Sequence, residues 1–328
     1  MKRTNMLFGL TLLFSLFLLK VNTCGVQYIS FSSNRTGQSD IYIIDTNGEN
    51  LHNLTNHVGS GCCATWAPDG RSFAFALFRD ETSEIYIKTY NEAQTRRLTN
   101  HPEIDYAPAW SPDGNWIAFH SNRTGGFHVY KIDINGENLQ RLTNQGIDNL
   151  DPSWSLDGQS IAFSSIGNDG SGISMMDADG KNRRLIINPQ HAGGPPRYPA
   201  WSPDGKQIAC TFAEDGRGIY IMETDGQNAR RISPLGTWSY NPAWSPDGKW
   251  IAYDAFEVGI ANPWQNPNAE RHIFIVSVEG GEPRQITQHP GRNSSPAWVT
   301  GSFYSVSPTV DTQTTLWGRL KQAERMTQ

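Results

Sequence analysis

The sequence predicts an all-β protein: a six-bladed β-propeller of four-stranded blades. The first observation is a repeated sequence motif, Pro-x-Trp-Ser-Pro-Asp-Gly followed by Ile-Ala-aromatic, which is clearest in Asn241–Tyr253. The second is its period, because a repeat in the forties made of short strands and turn signals is typical of propellers. The tryptophans of the repeat are Trp66, Trp110, Trp154, Trp201, Trp244 and Trp298, so their spacings are 44, 44, 47, 43 and 54 residues.

The motif itself predicts a β-hairpin. In Ser245–Gly248, Pro fixes φ at the second turn position and Gly takes the fourth, where φ can be positive. Residues after the turn alternate between the two faces of a strand. Trp250, Ala252 and Asp254 therefore face one way, while Ile251, Tyr253 and Ala255 face the other. The large apolar Trp before each turn is predicted to pack between neighbouring blades.

Each period carries four strand signals. The first strand ends in Pro-x-Trp, the second is Ile-Ala-Phe or a relative of it, the third resembles Ile41–Ile44, and the fourth is a polar Leu-Thr strand such as His52–Thr55. Asn-Gly or Asp-Gly joins the third and fourth strands in most periods, and these are strong hairpin signals. The longest connection is expected at Asp254–His272.

The offset between the two ends of the repeat predicts how the ring closes. The earliest strands, Tyr28–Thr55, lack an inner strand, whereas the strand ending at Trp298 is not followed by the second, third and fourth strands of a blade. Pairing of the N-terminal strands with the Trp298 strand therefore completes one blade and leaves no open edge between the first and last repeats. The propeller is predicted to occupy residues 26–300 as one domain, and we expect a monomer.

The first 25 residues predict a signal peptide for export. Lys2 and Arg3 precede the apolar run Leu7–Leu19, which is shorter than the ~20 residues that span a bilayer and suits a signal-peptide core. Cys24 follows as in a bacterial lipoprotein signal, although Asn22 and Thr23 stand where small residues are expected. Lipid attachment at Cys24 and an uncleaved anchor are both open alternatives.

The charge of the chain excludes some classes of partner. Loss of residues 1–24 removes three basic residues and no acid, which takes the net charge from −5 to −8. An acidic chain without a basic run argues against nucleic acid and against an anionic membrane surface. Membrane contact is expected only through a lipid on Cys24. Cys62 and Cys63 are adjacent in a predicted loop, where two free thiols or a vicinal disulfide are the alternatives.

The repeat resembles the TolB-like six-bladed propellers with WD40-like PD40 repeats. Ser121–Gly125, with sequence Ser-Asn-Arg-Thr-Gly, and Arg141–Thr143, with sequence Arg-Leu-Thr, are close matches, and the whole period agrees in every blade. TolB carries an additional α/β domain ahead of its propeller, which this sequence is expected to lack. The resemblance implies an exported, non-catalytic protein that binds other proteins in the periplasm or cell envelope and needs no cofactor.

The candidate binding face is the channel mouth, formed by the residues just before each Pro-x-Trp. Six residue pairs reach this mouth and differ from blade to blade: Cys62-Cys63, Tyr106-Ala107, Leu150-Asp151, Arg197-Tyr198, Tyr240-Asn241 and Ser294-Ser295. Aromatic and Arg side chains are favoured anchors of protein interfaces. The predicted binding residues are Tyr106, Asp151, Arg197, Tyr198, Trp238, Tyr240 and Trp264. No catalytic residue and no metal ligand is assigned.

Two alternatives from other functional classes remain open. A carbohydrate- or small-ligand-binding propeller would use Trp238, Tyr240 and Trp264. A propeller lyase or glycosidase would need a base at the channel, and a lyase would also need metal-binding histidines there. The histidines that can approach this face are His120, His128, His191 and His272, none of them at a repeated inner-strand position. Beyond the ring, residues 301–328 are expected to form a polar tail with a short helix at Leu316–Met326.

Overall fold

A computed structural model describes residues 27–300 except 57–58, 80, 168–169, 188–193, 214–215, 257–262 and 267. The predicted signal peptide, Cys24, His191 and the predicted tail helix lie outside the described residues. The strands, in chain order, are β1 (Tyr28–Ser33), β2 (Asp40–Asp45), β3 (His52–Asn53), β4 (Ser60–Trp66), β5 (Ser72–Arg79), β6 (Thr82–Thr89), β7 (Thr95–Arg97), β8 (Asp105–Trp110), β9 (Trp116–Thr124), β10 (Gly126–Asp133), β11 (Gln140–Arg141), β12 (Asp148–Trp154), β13 (Ser160–Ile166), β14 (Gly172–Asp177), β15 (Arg184–Ile187), β16 (Arg197–Trp201), β17 (Gln207–Phe212), β18 (Gly218–Glu223), β19 (Arg230–Arg231), β20 (Trp238–Trp244), β21 (Trp250–Phe256), β22 (Arg271–Ser277), β23 (Arg284–Gln285) and β24 (Asn293–Trp298).

These strands form six antiparallel sheets of four, which confirms the predicted all-β propeller. Blade 1 has the order β24-β1-β2-β3, and blades 2 to 6 are the consecutive sets β4–β7, β8–β11, β12–β15, β16–β19 and β20–β23. In blade 1, Ile29 pairs with Trp298 and Ser33 with Asn293. The ring is therefore closed by the N-terminal strands and the Trp298 strand, as the offset of the repeat predicts.

The Ser-Pro-Asp-Gly turns show why the inner hairpins form. In blade 6, the Ser245 hydroxyl donates to Asp247 Oδ1 at 2.6 Å, and Gly248 has a φ of 70°. The Ser245 Oγ also accepts the backbone N–H of Trp250 at 2.9 Å, which fixes the start of β21. The Asp247 side chain thus accepts a hydrogen bond from within its own turn, and Gly248 adopts the left-handed conformation that the turn requires.

Six of the seven hydrophobic clusters in the described residues lie one at each interface between neighbouring blades. Alternation sorts the side chains as predicted: Ala252 packs toward blade 1, while Ile251 and Tyr253 pack toward blade 5. Each repeat tryptophan belongs to one of these clusters, so its position between blades is confirmed. Four indole N–H groups also donate across the interface: Trp66 to Ser30 Oγ, Trp154 to Ala109 O, Trp244 to Ala200 O and Trp298 to Ala243 O, at 2.9 to 3.1 Å.

The outermost strands are shorter than predicted, because their Leu-Thr residues bond differently. In blade 1 the predicted strand runs to Thr55, but β3 ends at Asn53, and the equivalent β23 of blade 6 ends at Gln285, before Thr287. Thr287 Oγ1 instead accepts the backbone N–H of Ile273 at 3.0 Å, so a hydroxyl replaces the next carbonyl of the ladder. The same bond is made by Thr55, Thr99, Thr143 and Ser233.

The predicted Asp254–His272 connection is also shorter than expected. Strand β21 continues to Phe256 and β22 begins at Arg271, so both predicted end residues lie inside strands. The β21–β22 ladder continues to Phe256 and Arg271, and an ion pair joins Asp254 and Arg271 in this extension. Within the described ranges, no helix is long and apolar enough to cross a membrane.

Candidate functional site at the channel mouth

Six equivalent backbone positions shape the channel mouth. The residue before each Pro-x-Trp, or before Ala64 in blade 2, has a positive φ between 49° and 57°. A register shift interrupts the ladder between the first and second strands at the same point of every blade. Such bulges bend a strand and redirect its side chains. The six residues are Cys63, Ala107, Asp151, Tyr198, Asn241 and Ser295.

The bulged strands surround one cavity, here called the chamber, of about 370 Å³. Side chains from all six blades line it. They include Ser294 and Ser295, Cys62 and Cys63, Tyr106, Asp151, Tyr198, and Tyr240, Asn241, Trp264 and Arg271. Five of the predicted binding residues are thereby brought together: Tyr106, Asp151, Tyr198, Tyr240 and Trp264. The other two, Arg197 and Trp238, are half-buried and do not belong to the chamber wall.

One side of the chamber carries a buried network around Asp151. The Asp151 N–H donates to His120 Nδ1 at 3.1 Å, and Ser164 Oγ donates to Asp151 Oδ2 at 3.2 Å. Burial lowers the pKa of His120 to about 3, and the charge of Arg197 adds to that shift. Burial also raises the pKa of Asp151 to about 6, against the opposing charge of Arg197. His120 is therefore neutral, with Nδ1 free to accept.

The opposite side is built on Arg271, which is 8 % exposed. Its Nε donates to Asp254 Oδ2 at 2.6 Å. Its guanidinium carbon lies 4.9 Å from the ring centroid of Tyr240, 5.3 Å from that of Phe256 and 5.4 Å from that of Trp264. Burial raises the pKa of Asp254, and Arg271 opposes this. The cation and the aromatic rings form one contiguous wall.

Trp264 is the exposed member of this wall. Its side chain is 49 % exposed, whereas Tyr240 is only 4 % exposed. The Trp264 Nε1 donates to Tyr240 Oη at 2.9 Å, so both polar atoms are already paired. Trp264 consequently offers an apolar ring face to solvent, and Tyr240 holds that ring in place.

The two adjacent cysteines, which were predicted in a loop, lie inside strand β4 and form part of the chamber wall in blade 2. Both are free thiols, and their Sγ atoms lie 3.1 Å apart. Cys62 Sγ donates to Tyr106 Oη at 3.0 Å, and Cys63 Sγ lies 3.7 Å from Ser295 Oγ. Among the described residues, no group of three or more His, Cys, Asp or Glu is placed to hold a metal ion. The described lyase candidates His120, His128 and His272 are all buried.

Residues 24–197, which are 174 of the 328, match the TolB beta propeller domain family, PD40. The chain belongs to this family. No curated protein matches the sequence.

Solved structures agree with the TolB propeller fold. TolB from Acinetobacter baumannii superimposes with a TM-score of 0.71 at 21% identity, over 84% of this chain and 67% of that one. A putative TolB from Agrobacterium tumefaciens gives 0.66 at 17% identity, over 82% of this chain and 91% of that one. An oligogalacturonate lyase in complex with manganese gives 0.56 at 13% identity, over 80% and 74%. At these identities the likeness is one of fold.

Within this TolB-family propeller, sequence reasoning missed the role of one set of site residues, including His120, which it considered only as a candidate metal ligand. They follow the Ile-Ala-aromatic signal of the second strand, and each accepts the N–H of the left-handed residue of the next blade. The four pairs are Ser32 with Cys63, His120 with Asp151, Ser164 with Tyr198 and Asp254 with Ser295, at 2.8 to 3.3 Å. The signal was available, since this position faces the neighbouring blade and is polar in five of the six blades, with Ala76 of blade 2 as the exception.

Proposed function

We propose that this protein is an exported, non-catalytic binding module of the cell envelope, which holds a partner protein against its channel-mouth face. The supporting observation is the chamber wall. Residues from all six blades line it, and its aromatic and ionic side chains come from blades 3 to 6. Side chains of neighbouring blades accept the backbone N–H of four lining residues. A wall that is ordered before binding loses little conformational entropy when a partner docks.

The anchor in this proposal is Trp264, supported by Tyr198 and Asp151. Trp and Tyr are enriched among the residues that dominate interface energies. The exposed ring of Trp264 needs no polar partner, because Tyr240 already accepts its N–H. Arg197 acts behind the wall, where its charge lowers the pKa of both Asp151 and His120. The acidic net charge of −8 after loss of residues 1–24 speeds encounter with a basic partner.

Export and domain boundaries belong to the same proposal. Residues 1–25 carry the basic start and short apolar run of a signal peptide. The propeller is assigned to residues 26–300 and the polar tail to 301–328. Residence in the periplasm or attachment to the envelope through Cys24 is tested by fractionating wild type and Cys24→Ala. Release of only the variant supports a lipid on Cys24, and recovery of an unprocessed cytoplasmic chain contradicts export.

The binding face is tested by affinity capture from a native envelope extract with a matched pair of tryptophan variants. Trp264→Ala should reduce capture of a specific partner at least tenfold. Trp250→Ala removes a ring that is 39 % exposed at the opposite end of β21, and it should capture as wild type does. Equal capture by all three proteins would show that the partner does not use the channel mouth.

A small saccharide is the second candidate ligand. A chamber of about 370 Å³ lies within the roughly 300–1,000 Å³ of small-molecule sites, and aromatic rings line it. One structure of similar fold is an oligogalacturonate lyase. Thermal unfolding with and without galacturonate oligomers separates the two candidates. A raised midpoint in wild type but not in Trp264→Ala would favour saccharide binding, and product formation sensitive to chelator would favour a lyase.

A further inference from the structure

The cysteine pair of blade 2 is close to bonding distance. The Cys62 and Cys63 Sγ atoms are 3.1 Å apart. A disulfide bond measures about 2.0 Å, so closure needs a movement of only roughly 1 Å. Both thiols line the open chamber, whereas the remaining described cysteine, Cys210, is fully buried.

Blade 2 also departs from the repeat at this point. In five blades the left-handed residue is followed by proline, namely Pro108, Pro152, Pro199, Pro242 and Pro296. Blade 2 has Ala64 there. Proline restricts the backbone of the residue before it. Cys63 is therefore released from a restriction that its five counterparts share, and this release allows the Cys62–Cys63 segment to change conformation.

We propose that Cys62 and Cys63 are a redox modification site that closes to a vicinal disulfide by exchange with a small-molecule disulfide. The Cys63 thiolate attacks one sulfur of the small disulfide, forms a mixed disulfide and releases one thiolate. Cys62 then loses its proton and attacks Cys63 Sγ, which displaces the second small thiolate. The protein gives up two protons and two electrons, and the small disulfide becomes two thiols.

The electrostatics of the pair support this order of attack. The hydrogen bond between the two thiols lowers the pKa of Cys63, while the same contact and burial raise the pKa of Cys62. When one proton leaves the pair, it leaves from Cys63. Since the thiolate is the nucleophile in exchange, Cys63 attacks first and Cys62 resolves the mixed disulfide.

Geometry also makes the bond reversible. Consecutive Cα atoms are about 3.8 Å apart across a trans peptide, below the ~4.4–6.8 Å usual for disulfides. The eight-membered ring is therefore strained, and strained disulfides are the easily reduced ones. Closure also removes the S–H that Cys62 donates to Tyr106 Oη at 3.0 Å, so it changes the hydrogen bonding of the chamber wall.

The test is titration of the full chain with oxidised and reduced glutathione, followed by intact mass and peptide mapping. Cys24, outside the described residues, is replaced in Cys24→Ser so that it contributes no thiol. We expect loss of two hydrogen atoms without a glutathione adduct, a bond mapped to the Cys62–Cys63 peptide, and full reversal by reduced glutathione. A chain that stays reduced, that accumulates the adduct or that links through Cys210 overturns the proposal.

Variants in the same background assign the two roles. Cys62→Ser should trap the glutathione adduct on Cys63, because no resolving thiol remains. Cys63→Ser should react at least tenfold more slowly, since burial still raises the pKa of its remaining thiol. Cys210→Ala should behave as the parent does. Equal reaction rates for Cys62→Ser and Cys63→Ser would contradict the assignment of Cys63 as the attacking thiol.

Discussion

The backbone N–H of Asp151 in blade 4 donates to His120 Nδ1 in blade 3 at 3.1 Å. A buried imidazole of one blade thus holds the bulged inner strand of the next. The bond exists only while Nδ1 carries no proton. Because burial lowers the pKa of His120 to about 3, the contact should persist well below neutral pH and then fail.

The first prediction is that His120 makes the fold acid-sensitive. Its folded pKa of about 3 lies below the unfolded value of about 6.5. Its contribution to stability is therefore complete above pH 6.5 and is lost as pH falls toward 3. When pH is lowered from 7.5 to 4.5, the unfolding free energy should fall by about 2 kcal/mol less in His120→Asn than in wild type. Urea unfolding at both pH values measures this difference.

Asp151 should act with the opposite sign. Its folded pKa of about 6 lies above the ordinary value of 3.8, so it favours the folded state as pH falls through this window. When pH is lowered from 7.5 to 4.5, the unfolding free energy should therefore fall by about 2 kcal/mol more in Asp151→Asn than in wild type. The prediction fails if Asp151→Asn and His120→Asn change the acid dependence in the same direction.

The second prediction concerns the indole that closes the ring. Trp298 Nε1 donates to Ala243 O in blade 6 at 3.0 Å. Trp298→Phe keeps an aromatic ring but removes the indole donor of that half-buried carbonyl, at a cost of about 0.5–1.5 kcal/mol. Trp250→Phe, at a 39 % exposed site, should change the unfolding free energy by less than about 0.5 kcal/mol. Equal effects of the two changes would show that the indole bond adds nothing.

The third prediction concerns the threonine that ends an outer strand. Thr287 Oγ1 accepts the Ile273 N–H at 3.0 Å in a buried position. Thr287→Val keeps the shape and removes the acceptor, so unfolding free energy should fall by about 1–3 kcal/mol. Thr95 is the matched control, because its buried hydroxyl has no partner among the described residues. Thr95→Val should be neutral or stabilising in the same urea titration.

The fourth prediction concerns the buried ion pair. Arg271→Met leaves the fully buried Asp254 carboxylate without its cation, and loss of one partner of such a pair costs about 3–5 kcal/mol. Asp254→Asn in the Arg271→Met background should recover part of this loss, because the unpaired charge is gone. A double-mutant cycle in urea measures the coupling. Additive effects would mean that the two groups are energetically independent.

The ring could be predicted from sequence because its signals are local and repeated. The residues that form the turn at Ser245–Gly248 are contiguous in the sequence. Trp298 ends the sixth copy of the inner-strand motif, and that strand completes blade 1. The length of β23 could not be predicted in the same way. Leu-Thr continues a strand pattern, and nothing in the pattern shows that the hydroxyl of Thr287 replaces a backbone carbonyl.

The chamber was only half predictable. Because equivalent positions of the blades meet around the axis of a ring, the residues just before Pro-x-Trp could be expected to lie together. Tyr106 and Asp151 do line the same chamber. The Asp254–Arg271 pair depends instead on the register of two strands across a long connection. A shift of one residue would turn either side chain to the other face, and no residue pattern in that connection sets the register.

Closure through blade 1 has a kinetic consequence. Ser30 and Ala297 meet although they are 267 positions apart. A chain that emerges from its N-terminus can build blades 2 to 6 from neighbouring segments. Blade 1 must wait for its last strand, and until then β1 presents an open edge. Because contacts of such separation slow folding, completion of blade 1 should be the late, rate-limiting step, and a chaperone that shields β1 during synthesis would raise the yield.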